Sequence, residues 1–258
     1  MTIEEKQNYF LKSWNNNTLK DDIDSSFIPS NKKEAYEIQL GYETLSKYEL
    51  FGWKVAATSK DGQKHIGVDG PLAGRLIKEK SFSNNSKISL KNNFMKLVEA
   101  EFAFKLSKNF PVRDKLYNFS EVLDGIDSCI PAIELPDSRF KNYKKLGSNV
   151  LISDNACAGE FVINVNSGKS PTNIDLSNFE VHCYKNNSLI SVGIGKNVLE
   201  NPLKALMWLI NELNSLEINV LRKQIILTGT CIKPFLVERK DNILFDFNEF
   251  GKIACSFD

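Results

Sequence analysis

The spacing of apolar residues divides the 258-residue chain into helical and strand-forming segments. Residues 3–20, 31–48 and 202–216 carry apolar side chains at helical spacing, and Pro202 suits the first turn of the third helix. Short runs rich in β-branched and aromatic residues predict a strand at 51–57 and a series of strands from about residue 86. That series comprises 86–90, 94–106, 129–135, 160–165, 179–184, 189–194, 223–230, 234–238 and 242–247.

A turn-rich loop, Gly67-Val-Asp-Gly-Pro-Leu-Ala-Gly74, lies near the border between two regions of different character. Residues 1–78 contain two predicted helices and form an α-containing N-terminal part. Residues 79–258 form a β-rich core that the helix at 202–216 interrupts. Within this core, the segment Phe179 to Val192 is predicted to be a hairpin, because strand-forming residues flank an Asn-Asn pair and asparagine tolerates positive φ.

Two carboxylates stand inside an apolar run, Leu97-Val-Glu-Ala-Glu-Phe-Ala-Phe104. In a strand, Glu99 and Glu101 leave the same face, whereas on a helix they would diverge by about 200°. Burying two ionised carboxylates is costly unless a divalent cation or another positive charge compensates. Glu134, also among apolar residues on a predicted strand, is a candidate third member. The alternative is that these glutamates pair with lysine or arginine, or lie on a solvated edge.

Composition narrows the classes of partner and metal. A net charge of +1 offers no basic field for nucleic acid or an anionic membrane. The polar N-terminus and the absence of an apolar run of about 18 residues predict a cytoplasmic protein. The five cysteines are widely spaced, which predicts reduced thiols. With two histidines and no clustered thiolates, oxygen-ligated Mg²⁺ or Mn²⁺ fits better than zinc.

Two further side chains carry candidate chemistry. Lys54 lies between Trp53 and Val55 in a predicted strand, so its ammonium either reaches solvent or occupies a pocket, and the spacing alone favours solvent. In a pocket beside a cation its pKa would fall, which would let it exchange protons with a substrate near neutral pH. Cys157 is interpreted as a small buried thiol, since no base that would activate a nucleophile is identifiable.

Several motifs occur in a characteristic order along the chain. They are Gly52-Trp-Lys-Val-Ala-Ala-Thr-Ser59, Gly67-Val-Asp-Gly-Pro71, Glu99-Ala-Glu101, Pro131-Ala-Ile-Glu134 with Asp137-Ser-Arg139, Asp154-Asn-Ala156, Val192-Gly-Ile-Gly195, Asn201-Pro-Leu-Lys-Ala-Leu-Met-Trp-Leu209 and Leu227-Thr-Gly229. Taken together, this ordered set resembles the 2-keto-4-pentenoate hydratase family, within the fumarylacetoacetate hydrolase superfamily.

The resemblance implies an α+β fold with a mixed β-roll core of the fumarylacetoacetate hydrolase type and an α-containing N-terminal part. It implies Mg²⁺ or Mn²⁺ held by Glu99, Glu101 and Glu134, with Lys54 as the catalytic residue. The implied substrate-binding positions are Asp69, Leu72, Asn155 and Cys157. The implied reaction adds water to a 2-hydroxy-2,4-dienoate, or its 2-oxo-4-enoate form, and gives a 4-hydroxy-2-oxo acid. The expected partners are a second copy of the chain and a companion decarboxylase.

Two positions depart from the family pattern. Typical hydratases carry Pro-Asp-Phe-Gly where this chain has Pro71-Leu-Ala-Gly74, so Leu72 replaces the acid/base aspartate. Cys157 replaces a family serine and is a weaker hydrogen-bonding group. Two alternatives therefore stay open. One is decarboxylation of an oxalocrotonate-type acid or hydrolysis of an acylpyruvate through the same metal, and the other is a non-catalytic subunit that binds 2-oxo acids.

Overall fold

The structure is a computed structural model that describes residues 1–258. Its helices are α1 (Ile3–Asn15), α2 (Lys32–Gln39), α3 (Lys60–Ile66), α4 (Phe119–Leu123), α5 (Gly147–Ser153) and α6 (Pro202–Ser215). Its strands are β1 (Gly52–Ala56), β2 (Leu72–Leu76), β3 (Ser81–Phe82), β4 (Ser86–Ile88), β5 (Leu97–Leu106), β6 (Ile126–Leu135), β7 (Glu160–Ile163), β8 (Glu180–Lys185), β9 (Ser188–Ile194), β10 (Ile225–Thr230), β11 (Phe235–Leu236), β12 (Asn242–Asp246) and β13 (Lys252–Phe257).

Two mixed sheets build the core. The larger sheet has the order β2-β1-β10-β5-β6-β7-β3, and β11 also pairs with β5. The smaller sheet has the order β4-β13-β12-β8-β9. In the larger sheet β1 runs parallel to β10, whereas β5 is antiparallel to both β10 and β6. The predicted α+β class with a mixed sheet at its core is confirmed.

The three helices predicted from apolar spacing are all present, but the first two are shorter than predicted. A capping box between Thr2 and Glu5 starts α1, and Asn17, with φ 49°, takes the chain out of helical geometry beyond its end. After Gln39 the second helix tightens into a 3-10 turn, Leu40–Leu45. The side chain of Asn201 caps α6, and the apolar face of that helix is buried.

All nine predicted strands from residue 86 onward correspond to observed strands, and the predicted strand at 51–57 corresponds to β1. The predicted hairpin is formed by β8 and β9, with Asn186 at φ 52° and Asn187 at φ 67° in its turn. The loop prediction for residues 67–74 was wrong at its end, because β2 begins at Leu72. The strands β3 and β13 were not predicted.

The sheet also crosses the division proposed at residue 78. Both β1 and β2 precede that position, yet β1 hydrogen-bonds to β10. The division into two parts stays a prediction about the organisation of the chain. No helix in the fold has both the length and the apolar character needed to span a membrane. All five cysteines are buried and unpaired.

Candidate metal and substrate site

Three glutamates meet on one face of the larger sheet. Glu99 and Glu134 are direct partners across β5 and β6, and Glu101 follows two residues further along β5. Carboxylate oxygens of the three side chains all lie within 4.8 Å of one another. Because the strand alternates its faces, the apolar neighbours of these glutamates pack into the core instead.

Several oxygens in this cluster have no hydrogen-bond partner. Glu101 is 0% exposed and Glu134 is 1% exposed, while Glu99 is half-buried. Oε2 of Glu101 accepts a hydrogen bond from the N–H of Gly229 at 2.8 Å. Oε1 of Glu101 and both carboxylate oxygens of Glu134 accept none. Unsatisfied buried oxygens are rare in proteins, and an all-oxygen cluster is the donor set that Mg²⁺ and Mn²⁺ prefer.

Lys54 projects from β1 into the same cluster. Its Nζ lies 3.0 Å from Oε1 of Glu134, in an ion pair that lacks hydrogen-bond alignment, and donates to the carbonyl of Ala156 at 3.3 Å. The side chain of Lys54 is almost fully buried, so the expectation that its ammonium reaches solvent was wrong. The three carboxylates supply the negative charge that holds the ammonium inside.

The charges in the cluster perturb one another strongly. Burial raises the pKa of Glu99 and Glu101, and repulsion from Glu134 raises it further. Burial alone would lower the pKa of Lys54, but attraction to the three carboxylates outweighs it and leaves the pKa above its usual value. With all groups ionised, three carboxylates and one ammonium leave two negative charges. That excess matches the charge of a divalent cation.

A strained turn closes one side of the cluster. Asn155, Ala156 and Cys157 have φ of 58°, 51° and 58°, which is unusual for three successive residues with side chains. The Asn155 amide holds this turn, because its Oδ1 accepts from the N–H of Arg75 at 2.7 Å and its Nδ2 donates to the Arg75 carbonyl at 3.0 Å. The turn presents the Ala156 carbonyl to Lys54.

A buried carboxylate links the same turn to the N-terminal helices. Asp154 accepts hydrogen bonds from Nε1 of Trp14 at 2.9 Å, the hydroxyl of Tyr42 at 3.3 Å and the N–H of Arg139 at 3.1 Å. Burial raises the pKa of Asp154 to about 6 despite these hydrogen bonds. No role was predicted for Asp154, although it opens the Asp154-Asn-Ala156 motif, which was a usable signal.

The chain is similar in sequence to known proteins over most of its length. No protein-family model matches the chain. The 2-oxo-hept-4-ene-1,7-dioate hydratase of Escherichia coli is 29% identical over 235 residues, which cover 87% of this chain and 86% of that protein. The 2-keto-4-pentenoate hydratase of Paraburkholderia xenovorans is 28% identical over 237 residues, which cover 90% of this chain and 86% of that protein. The chain is a homologue of the 2-keto-4-pentenoate hydratases.

The fold is also similar to that of solved structures. The 4-oxalocrotonate decarboxylase from Pseudomonas putida G7, complexed with magnesium and adipate, matches with a TM-score of 0.88 at 22% identity and covers 99% of this chain and 97% of that one. A fumarylpyruvate hydrolase from Pseudomonas aeruginosa, in complex with Mn²⁺ and pyruvate, matches with a TM-score of 0.61 at 7% identity. The match covers 80% of this chain and 88% of that one. The chain therefore shares its fold with the 4-oxalocrotonate decarboxylase.

Leu72, at the position where the family resemblance implies an aspartate, lies beside Lys54. Leu72 pairs with Ala56 across β1 and β2, and Lys54 pairs with Gly74, so Leu72 and Lys54 share a face of the sheet. Leu72 is 3% exposed and belongs to the main apolar core. An apolar side chain therefore occupies the position at which the resemblance implies an aspartate.

Asp69 and Cys157 lie in contrasting environments. Asp69 is exposed, and its Oδ1 accepts a hydrogen bond from the Ser148 hydroxyl at 3.3 Å. Cys157 is buried, and burial raises the pKa of its thiol well above the usual value. The thiol therefore stays protonated near neutral pH, which agrees with a packing role and disfavours a nucleophile.

Proposed function

We propose that the chain is a metal-dependent hydro-lyase that adds water to a 2-hydroxy-2,4-dienoate, through its 2-oxo-4-enoate form, to give a 4-hydroxy-2-oxo acid. The observation that carries this proposal is the cluster of three glutamates, with unpaired buried oxygens, around a buried lysine. The cluster occurs in a chain whose curated relatives are hydratases of such substrates.

The proposed metal ligands are Glu99, Glu101 and Glu134, which would hold Mg²⁺ or Mn²⁺. The bound cation would act as a Lewis acid that stabilises negative charge on an enolate. The cluster suits this task because its donors are all oxygen and because, with all groups ionised, its two excess negative charges match a divalent cation.

We assign to Lys54 the recognition of the substrate's carboxylate and the exchange of a proton with the substrate. Without a cation, the three carboxylates keep the pKa of Lys54 above its usual value, and a cation held by them would offset that attraction and lower it. Its ammonium is buried, so a substrate carboxylate beside it would pair in a low dielectric, where charge attraction is strong. The Ala156 carbonyl fixes the direction of the ammonium. Asp69, Leu72, Asn155 and Cys157 stay predicted substrate-binding positions, with the amide of Asn155 already engaged by Arg75.

Conservative variants of the glutamates test the proposal. Glu99→Gln and Glu101→Gln each remove one negative charge at nearly constant volume, and we expect both to abolish Mn²⁺ binding together with turnover of 2-hydroxypenta-2,4-dienoate. Glu160→Gln is the matched control, because Glu160 is a partly buried glutamate with an unpaired Oε2 on β7, outside the cluster. An unchanged rate in either cluster variant would rule the proposal out.

Leu72 supports a second candidate function. An apolar side chain at this position removes the acid/base group typical of hydratases, while the cluster could still support enolate formation. We therefore keep decarboxylation of an oxalocrotonate-type acid, or hydrolysis of an acylpyruvate, as the alternative. Release of carbon dioxide or pyruvate by the purified chain would favour it, and a hydrated product alone would eliminate it.

Assembly and location also remain proposals. We expect a homo-oligomer, association with a companion decarboxylase and a cytoplasmic location, on the basis of the family resemblance and the sequence. Light scattering on the purified chain tests the first of these. A monomer that turns over the dienoate at full rate would remove the need for any assembly.

A further inference from the structure

One of the three glutamates is tethered to the backbone of a neighbouring strand. Oε2 of Glu101 accepts the N–H of Gly229 at 2.8 Å in a fully buried hydrogen bond. The register between β10 and β5 shifts between Leu227 and Thr230, which is the signature of a bulge. A bulge takes a backbone group out of the ladder, and here the N–H of Gly229 meets a side chain instead.

The residue that donates this hydrogen bond has to be glycine. Gly229 has a φ of 98°, a conformation that residues with side chains rarely adopt. A Cβ built at Gly229 would lie 2.3 Å from Oγ1 and 2.7 Å from Cγ2 of Thr58. Thr58 is itself buried, and its carbonyl accepts the N–H of Leu199 at 2.9 Å. Backbone conformation and the neighbouring side chain therefore both exclude a larger residue.

The tether makes the two oxygens of Glu101 unequal. Oε2 is occupied by the Gly229 N–H, while Oε1 has no partner. Among the three glutamates, Glu101 is the one whose carboxylate accepts a backbone hydrogen bond; neither oxygen of Glu134 accepts any hydrogen bond. A carboxylate held at one oxygen keeps its orientation even among other negative charges that repel it.

We propose that Gly229 is a positioning residue of the metal site, which reserves one oxygen of Glu101 and leaves Oε1 to the cation. This inference rests on the proposed function, since it concerns the same cation. Groups that orient metal ligands usually affect affinity by about 10- to 100-fold when they are removed. Holding Glu101 in place before the cation arrives also reduces the side-chain ordering that binding would otherwise require.

A pair of glycine variants tests the inference. Gly229→Ala should weaken Mn²⁺ binding by about 10- to 100-fold, measured by calorimetric titration of metal-stripped protein. Gly251→Ala is the matched control, because Gly251 has nearly the same φ, 97°, but a Cβ there would meet nothing within 4 Å. It should carry a similar backbone strain and keep the wild-type affinity. A folded Gly229→Ala protein with wild-type affinity would overturn the inference.

An ester substitution keeps the test decisive if Gly229→Ala fails to fold. Replacing the amide N–H of residue 229 by an ester oxygen removes the donor and adds no side chain, and we expect the same loss of affinity. The ester at Gly251 is its control, because that N–H also donates a hydrogen bond, to the Asn248 carbonyl at 2.9 Å. Equal Mn²⁺ affinity in the wild type and the 229 ester would overturn the inference alone. A wild-type chain that binds no Mn²⁺ would overturn the proposed metal-dependent function as well.

Discussion

Lys54 and Glu134 form an ion pair in which the side chains are 3% and 1% exposed and Nζ lies 3.0 Å from Oε1. Removing one partner of a buried ion pair normally leaves an uncompensated charge, at a cost of about 3–5 kcal/mol. Here two more carboxylates share the ammonium, so Lys54 neutralises part of a cluster that would otherwise repel itself. Its positive charge also opposes a cation at the same place.

Lys54→Met should therefore separate metal binding from catalysis. Without the ammonium the cluster is more negative, so we expect Mn²⁺ affinity at least equal to that of the wild type, together with a fall in turnover of about 100-fold or more. The metal-free variant should melt at a lower temperature than the wild type, and Mn²⁺ should restore much of the loss. Lys105→Met, at a half-exposed lysine on β5, is the control for turnover. Loss of Mn²⁺ binding in Lys54→Met would show that the lysine maintains the cluster instead.

Gly74→Ala should displace the side chain of Lys54, because Gly74 on β2 is its direct partner across the sheet. A Cβ at Gly74 would lie 2.5 Å from the carbonyl of Asn155 and 3.2 Å from Cγ of Lys54, so the turn and the lysine would be pushed apart. We expect turnover to fall by about 10-fold or more if Lys54 has its proposed role, because small displacements of a catalytic group are costly. Gly70→Ala, with nothing within 4 Å of the added Cβ, should keep the wild-type rate. Equal rates in the two variants would show that the close packing at Gly74 does not matter.

The sequence predicted the local part of the site well. Strand alternation placed Glu99 and Glu101 on one face, since that property depends only on the residues between them. The pairing of Glu134 with Glu99 could not be predicted from the sequence, because strand register is set by contacts between distant segments. The same limit applied to Lys54, whose burial follows from carboxylates on other strands and not from its neighbours Trp53 and Val55.

Glycines account for other differences between the prediction and the fold. The strand β2 was mistaken for a loop because Gly70, Pro71 and Gly74 resemble turn residues, whereas Gly74 is small so that the Asn155 turn can approach. Gly229 was noted only as part of a motif. An isolated glycine within a strand often marks a bulge or a close approach, so Gly229 carried a signal for the bulge that was not used.

Trp14→Phe should destabilise the fold through Asp154. The substitution removes the Nε1 donor that lies 2.9 Å from Oδ1 of Asp154, while the ring that stacks on Arg139 is largely kept. Hydrogen bonds to a charged acceptor contribute about 1.5–3 kcal/mol, so the free energy of unfolding should fall by about that amount in urea titrations. Trp208→Phe is the control, because Trp208 is only partly buried and its indole donates no hydrogen bond within the protein. Equal losses in both variants would exclude the Asp154 contact as the cause.

Glu34 should make the stability depend on pH. Lys6 Nζ donates to its Oε1 at 2.6 Å, and that hydrogen bond, with further ones from Ser30, lowers the pKa of Glu34 from 4.5 to about 2. A lowered pKa adds stability that is present above pH 4.5 and is lost as the pH falls towards 2. The destabilisation caused by Glu34→Gln should therefore shrink over that range in denaturant titrations. Glu37→Gln, at an exposed position of α2, is the control, and a constant effect of Glu34→Gln over that range would contradict the assignment.

An ultraviolet assay of the purified chain with freshly generated 2-hydroxypenta-2,4-dienoate, with and without Mn²⁺ and with product analysis by mass, tests the central claim most directly. A metal-dependent hydratase should consume the dienol only when Mn²⁺ is present and should yield a product that has gained one water. Binding of Mn²⁺ with no loss of dienol above the background tautomerisation would contradict the hydratase assignment.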